Sequence, residues 1–281
     1  MTRRRLDAEL VRRGLAESRG AAKLLIDAGE VLVSGAVADK AARMVGTHEP
    51  VVVVAPPPAF VGRAGGKLDA ALRAFGLDVA GRRAIDVGAS TGGFTDCLLQ
   101  RGAEAVVALD VGHGQLHERL RADPRVSVVE RCNVRDLAPA VCSDTARRQV
   151  VGDPASLVVA DLSFISLRTV RDALVALVAP DGDLVVLIKP QFEAGRAEVS
   201  RGGGVISDPA IWASTVGGVV EDFAACGMHL VGLVVSEVRG TAGNVEFVAW
   251  LNRSPVDDGL GAGDARVAAV VSSVAQEQAC R

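Results

Sequence analysis

The chain has 281 residues, 49% of them hydrophobic and 23% charged, a balance that supports a buried core in one large domain or two unequal ones and excludes disordered and fibrous classes. Its longest apolar runs, near 184–188 and 230–235, are the size of strands, well short of the roughly 18 to 20 residues that span a bilayer, so no membrane role is expected. The net charge of −3 is unevenly spread: residues 1–25 carry seven Lys or Arg against three acids, a local +4 that leaves −7 for the remainder. A basic end on an acidic body fits a small polyanion-binding module, and equally a solvated charged face. The N-terminus turns amphipathic straight after Arg5, without an apolar stretch of signal-peptide type, so a cytoplasmic protein is expected.

Leu6 to Arg13 and Ser18 to Ala28 read as two short helices, the second capped by Ser18, faced by Leu24, Leu25 and Ile26, and closed by Gly29. Val31 to Val33, a Ser34-Gly35 turn and the run Val51 to Val54 predict short strands, which completes a small α+β unit over residues 1–55. Pro56-Pro57-Pro58 forces an extended segment, and a linker is expected over 56–64. Strands are then predicted at 83–87, 105–109, 126–130, 156–160, 183–188, 229–235 and 245–251, with helices near 67–75, 93–101, 114–121, 168–178 and 209–225. This alternation specifies an α/β domain over 65–256 with a Rossmann-like, seven-stranded, mostly parallel sheet. Asp208-Pro209 is a strong helix start, an N-cap followed by proline at the first helical position. Nine residues join the last two predicted strands, too few for a helical crossover, so those strands should be antiparallel neighbours. The tail 257–281 is predicted to end in an amphipathic helix.

Chemistry concentrates at the strand ends. Ala84 to Thr95 reads as a buried strand, a glycine-rich turn and a helix start, the place where an α/β sheet binds nucleotides. A dinucleotide fingerprint needs glycine where this chain has Ser90, and Asp86 adds negative charge that suits a cationic ligand better than a pyrophosphate. A sulfonium such as S-adenosylmethionine fits, with Asp86, Gly88, Ala89, Ser90, Thr91, Gly92, Gly93 and Phe94 as its candidate contacts. Asp110 ends the second strand, 24 residues after Asp86, where an acid can accept both hydroxyls of a ribose. Asn133 and Asp136 follow the third strand and are candidates to border an adenine. Asp161 and Lys189 emerge from the ends of the fourth and fifth strands, either as a structural ion pair or as a lysine poised to act on a hydroxyl.

Other chemistries lack support. Five cysteines (97, 132, 142, 226 and 280) are odd in number and contain no C-x-x-C pair, so neither a disulfide framework nor a zinc site is encoded. His113 and His117 have helical i, i+4 spacing but no third ligand, and are read as surface histidines. No G-x-S-x-G elbow and no Walker loop occurs.

At these residues the chain resembles the TlyA family of ribosomal RNA 2′-O-methyltransferases, also called hemolysins. Arg5-Leu6-Asp7, Leu10 to Ala16, Ser18-Arg19 and Gly29-Glu30-Val31 resemble the RNA-binding domain named for ribosomal protein S4. Residues 60–255 resemble an FtsJ-like methyltransferase domain, with Asp86 to Thr95, Ala160 to Leu167, Ile188 to Glu193 and Gly243 to Phe247 as its motifs. The resemblance implies S-adenosylmethionine as cofactor and a catalytic tetrad matching Lys67, Asp161, Lys189 and Glu246. It also implies cytidines of 16S and 23S ribosomal RNA as targets, with an effect on susceptibility to capreomycin and viomycin. Arg3, Arg4, Arg5, Arg12, Arg13, Arg19 and Lys23 are expected to grip RNA phosphates. No metal and no membrane partner is expected, and a monomer is favoured. Where the family linker carries a tryptophan, this chain has Phe60. The competing readings are a ribosome-binding factor without catalysis and a membrane-active hemolysin. The segment 194–204 is expected to be an irregular, RNA-contacting loop.

Overall fold

A computed structural model describes residues 3–16, 18–54, 59–240, 242–254 and 262–279, which form two compact units, the second starting at Ala59. In the first, β1 (Arg3–Arg5) leads into α1 (Leu6–Arg12), α2 (Arg19–Asp27), β2 (Val31–Val33), β3 (Ala36–Val37), β4 (Met44–Gly46) and β5 (Val51–Val53). Leu6 and Leu10 on α1, and Ala22 and Ile26 on α2, lie one turn apart and pack with Val31, Val33, Val45 and Val51 in one core. Ser18 caps α2 by accepting from the Ala21 amide at 3.2 Å, and Gly29 follows the helix at φ +74°. β2 is the centre of an antiparallel sheet between β3 and β5, and β1 pairs antiparallel with β4. Three consecutive arginines carry no strand pattern; β1 exists because β4 supplies its ladder.

The second unit runs α3 (Ala64–Phe75), β6 (Arg83–Val87), α4 (Gly93–Gln100), β7 (Ala105–Leu109), α5 (Glu118–Arg121), β8 (Val126–Val129), a 3-10 turn (Val134–Leu137), α6 (Asp144–Val151) and β9 (Ala155–Ala160). It continues with α7 (Leu167–Leu177), β10 (Val178–Ile188), α8 (Pro190–Glu193), α9 (Arg196–Arg201), α10 (Pro209–Ala224), β11 (His229–Val235), β12 (Phe247–Asn252) and α11 (Ala262–Ala279). The seven strands form one sheet in the order β11-β12-β10-β9-β6-β7-β8, parallel from β10 to β8, with β12 antiparallel to both its neighbours. From β6 the chain steps outward through β7 and β8, then returns to the other side of β6 with β9. That reversal opens a crevice outside the carboxyl ends of β6 and β9, where open α/β sheets bind ligands. Asp208 caps α10 by accepting from the Ala210 amide at 2.8 Å. Val267, Val271 and Val274 give α11 one buried face, against α10 and β11.

Several expectations are corrected. The linker predicted over 56–64 is shorter on its far side, because Val61 donates its amide to Asp96 at 2.8 Å and Phe60 packs on the core of the second unit; residues 56–58 lie outside the described residues. The helix predicted over 114–121 is only Glu118–Arg121. His117 is its N-cap and accepts from the Arg119 amide, while His113 pairs with Glu130, so the two histidines share no helical face. Residues 196–201 of the expected irregular loop are helical. β10 starts five residues early, through a register irregularity between Val178 and Asp183, and β12 starts at Phe247. Helix α6 escaped the pattern reading because its face is mostly polar, although Ser143 caps it as an N-cap serine should. Among the described residues no helix is long and apolar enough to cross a membrane, and no group of three or more His, Cys, Asp or Glu could hold a metal ion.

Candidate active site

The glycine-rich turn is shaped by close approach. Gly88 sits at φ +85°, and a Cβ there would lie 2.6 Å from the carbonyl oxygen of Asp161. Only glycine lets the end of β6 meet the end of β9 so closely. Ser90, at φ +49°, donates its amide to Asp110 Oδ2 at 2.8 Å, and Gly112 donates to Asp110 Oδ1 at 2.6 Å. One carboxylate therefore ties the turn after β6 to the turn after β7, and its remaining lone pairs are free to accept a diol. Gly88, Ser90, Asp110 and Asn133 line a cavity of about 480 Å³. Ala89, Thr91, Gly93 and Phe94 line a smaller one beside it, which also includes Gly88 and Ser90.

Two candidate cofactor residues are displaced from these walls. Asp86 is wholly buried beneath the turn, where Thr95 Oγ1 donates to its Oδ2 at 2.6 Å, and it lines none of the described cavities. Burial foremost, with the charges of Asp161 and Asp110 adding to it against the Thr95 hydrogen bond, pushes its carboxyl up to about 7. Gly92 serves packing, since a Cβ at its φ of +98° would run into the side chains of Leu120 and Leu116. Asp136 is also absent from the cavity walls, and Asn133 spends its side-chain oxygen capping the 3-10 turn.

The four residues of the expected tetrad meet in one neighbouring cavity of about 520 Å³. Lys67 on α3 reaches across to Glu246, just before β12, with Nζ 2.5 Å from Oε2. Lys189, at the end of β10, has Nζ 2.6 Å from Asp161 Oδ1 and donates to Ser163 Oγ at 2.8 Å. The contact with Asp161 is a close ion pair, and the hydrogen bond to Ser163 orients the same amine from the other side. The pairs come from four different segments, so only the tertiary fold assembles them. This cavity shares Ser90, Asp161, Ser163 and Phe164 with the cavity of about 480 Å³ at the glycine turn, so a group held in one can reach a group held in the other.

Sequence reasoning singled out neither Ser163, Phe164 and Gln191 nor Arg239, all of which line the tetrad cavity. The first three lie inside the quoted motifs, but their residue types carry no signal of their own. Phe164 does have a structural signature: φ +65°, 92% exposure, and a ring 5.3 Å from that of Phe192. Arg239 stands in the β11–β12 loop, where nothing in the local pattern marks it.

The basic residues of the first unit are less free than their number suggests. Arg5 and Arg19 both pair with Asp7, Arg12 and Arg13 with Glu9, Lys23 with Asp27, and Arg3 approaches Glu49 at 4.0 Å. Arg13 also donates to the carbonyls of Gly46, Thr47 and Glu49 and is only 20% exposed, so it braces β4 and the turn after it. Arg4 is exposed and forms no ion pair among the described residues.

Comparison with known proteins follows the same division. Residues 60–253 match the FtsJ-like methyltransferase model and residues 4–51 the S4 domain model. The chain is 49% identical over 261 residues, 92% of its own length and 93% of the relative's, to the 16S/23S rRNA (cytidine-2′-O)-methyltransferase TlyA of Mycobacterium tuberculosis. It is 42% identical to YqxC of Bacillus subtilis, over 88% of this chain and 85% of that one. A solved structure from Streptococcus thermophilus superposes with a TM-score of 0.72 at 34% identity, covering 100% of this chain and 98% of that one. With an S4 domain ahead of an FtsJ-like methyltransferase domain, the chain belongs to the TlyA family of S-adenosylmethionine-dependent ribosomal RNA methyltransferases.

Proposed function

We propose that the protein transfers the methyl group of S-adenosylmethionine to the ribose 2′-oxygen of cytidine in 16S and 23S ribosomal RNA. The observation that carries this reading is the convergence of two lysine–carboxylate pairs, Lys67–Glu246 and Asp161–Lys189, on one cavity that shares a wall with the glycine-rich turn. Gly88, Ser90 and Asp110 fit the cofactor: the turn has no room for side chains at Gly88, and Asp110 keeps acceptor capacity for a ribose diol. The cofactor supplies an electrophilic methyl on a sulfonium.

The chain supplies the rest. A ribose hydroxyl is a weak nucleophile, so it must be aligned and its proton taken up as the new bond forms. Lys189 is the group for that role: held between Asp161 and Ser163, it receives the proton when its amine turns a lone pair, not a hydrogen, toward the 2′-hydroxyl. Asp161 holds the lysine against the end of β9, and the Lys67–Glu246 pair balances charge across the cavity. The exposed arginines of the S4 domain, Arg3, Arg4, Arg5, Arg12 and Arg19, with Lys23, grip phosphates and add affinity that carries no sequence information. A ribosomal RNA substrate supports a cytoplasmic location. Incubating deproteinised 16S and 23S RNA and both ribosomal subunits with the protein and labelled S-adenosylmethionine, then mapping methylated nucleotides by mass, tests the reading. Label on a cytidine ribose is expected; label on a base, or none on any substrate, would overturn it.

A further inference from the structure

Asp7 is unusual among acids of a basic RNA-binding surface because it is buried, with 5% exposure, and yet it carries two arginines that are not. Arg5 meets it as a two-pronged fork, Nε to Oδ1 at 3.1 Å and Nη2 to Oδ2 at 3.0 Å. Arg19, fourteen residues on and at the start of the next helix, donates Nη2 to Oδ2 at 2.7 Å and Nε to the same oxygen at 3.3 Å. The Ala8 amide donates to Oδ1 at 2.8 Å. The side chains of Arg5 and Arg19 remain 47% and 61% exposed, and each guanidinium has more N–H donors than its bonds to Asp7 use.

We propose that Asp7 is a positioning residue for RNA binding, whose buried carboxylate clamps Arg5 and Arg19 into one preformed fork for a single backbone phosphate. This rests on the reading of the S4 domain as an RNA-binding face. An arginine side chain loses rotamer freedom when it docks, and holding two in place beforehand removes that cost from the binding step. The Arg5 hydrogen bonds, with Arg19 and Ala8 assisting, outweigh burial and hold the Asp7 carboxyl well below the usual carboxylate range, so the clamp stays charged at any pH where RNA is handled. Glu9 is the contrast. It is fully buried and also holds two arginines, but one of them, Arg13, is spent on backbone carbonyls, so no second exposed arm completes a fork.

Simple charge counting and the clamp predict opposite signs. Removing an acid from a surface that binds a polyanion should tighten binding, whereas loosening the clamp should weaken it. In filter-binding titrations of the full chain with 16S and 23S ribosomal RNA at several KCl concentrations, Asp7→Asn is expected to weaken binding by about tenfold, in line with two arginines losing their preorganisation. Asp27→Asn makes the same charge change at an exposed pair with one lysine, and should leave binding unchanged or slightly tighter. Melting curves on the same preparations separate a clamp from a purely structural acid.

Arg5→Ala, Arg19→Ala and their double variant keep the test valid should Asp7→Asn not fold. Two arms on one phosphate predict that losing either costs nearly as much as losing both. Losses that simply multiply, or an Asp7→Asn protein that binds as tightly as the parent or tighter, overturn the clamp while leaving the RNA-binding face intact. A double arginine variant with undiminished binding overturns that face and the clamp with it.

Discussion

In the S4 domain two carboxylates are buried while three of the arginines they hold are not: the side chains of Asp7 and Glu9 are 7% and 0% exposed, while Arg5, Arg12 and Arg19 keep 47%, 45% and 61%. In the methyltransferase domain both members of each tetrad pair are withdrawn, with Lys67 and Glu246 at 10% and 3%, and Lys189 and Asp161 at 9% and 15%. The pairing chemistry is the same and the solvent differs. An exposed guanidinium can exchange water or a carboxylate for phosphate, and mobile ions screen it. A sequestered lysine feels little screening and holds one geometry, which suits work on a single hydroxyl.

The largest effect that would break this contrast is at Lys189. Lys189→Ala should lower methyl transfer by about a hundredfold or more, as for loss of a general base, while binding of cofactor and RNA stays close to that of the parent. Lys67→Ala, Asp161→Ala and Glu246→Ala should give losses that do not multiply with it, because groups acting as one unit fail together. Single-turnover rates and melting curves on the same preparations decide between catalysis and structure. Full activity in a folded Lys189→Ala protein would reduce both pairs to structural ion pairs.

Next in size is Asp110, which is fixed by two amides and not by a cation. Asp110→Ala should weaken S-adenosylmethionine binding by about 1.5 to 3 kcal/mol, the range for hydrogen bonds to a charged group. Calorimetry returning the parent affinity would take the ribose away from this residue.

How much of this was legible depended on whether a property was local. The strand at 83–87 and the cap at Asp208 follow from apolar runs and turn chemistry a few residues long, and they fold as written. The pairing of Lys67 with Glu246 bridges 179 positions, so no periodicity reveals it; the family motif pointed to the four residues, and the fold divided them into pairs. Asp86 misled for a related reason. An acid at a strand end looks like a ligand contact in sequence, but whether it faces the crevice or the core is set by the pleat of β6, and here it faces the core. The arginines of residues 1–25 were countable, but their partners were not: Asp7 and Glu9 read as ordinary acids on a helix until packing buried them.

A smaller effect sharpens the same contrast through salt. RNA binding should weaken steeply as salt rises, and neutralising Arg4 and Arg19 together should flatten the log–log slope by roughly 1 to 2 units. The methyl transfer rate of the bound complex should hardly respond to salt, because its charges are sequestered. Slopes that match in parent and variant would leave those arginines as a solvated surface.

The smallest effect concerns the buried carboxylate that has no cation. Glu9, with Arg12 and Arg13 on it, is held down to about 2, whereas Asp86, buried with only Thr95, is pushed up to about 7. The unfolded chain ionises its aspartates near pH ~3.9. Between there and about 7 the folded protein therefore keeps a proton on Asp86 that the unfolded chain has released. Stability contributed by this group is fully present at low pH, falls as pH rises through that window, and levels off above it. Asn is neutral at every pH and still accepts the Thr95 hydroxyl. Asp86→Asn should therefore raise Tm relative to the parent by a few degrees at pH 8 and by much less at pH 4.5, the gain growing across the window. Thermal melts at the two pH values carry the test, and a difference between variant and parent that is the same at both would mean that Asp86 is ionised in the folded protein.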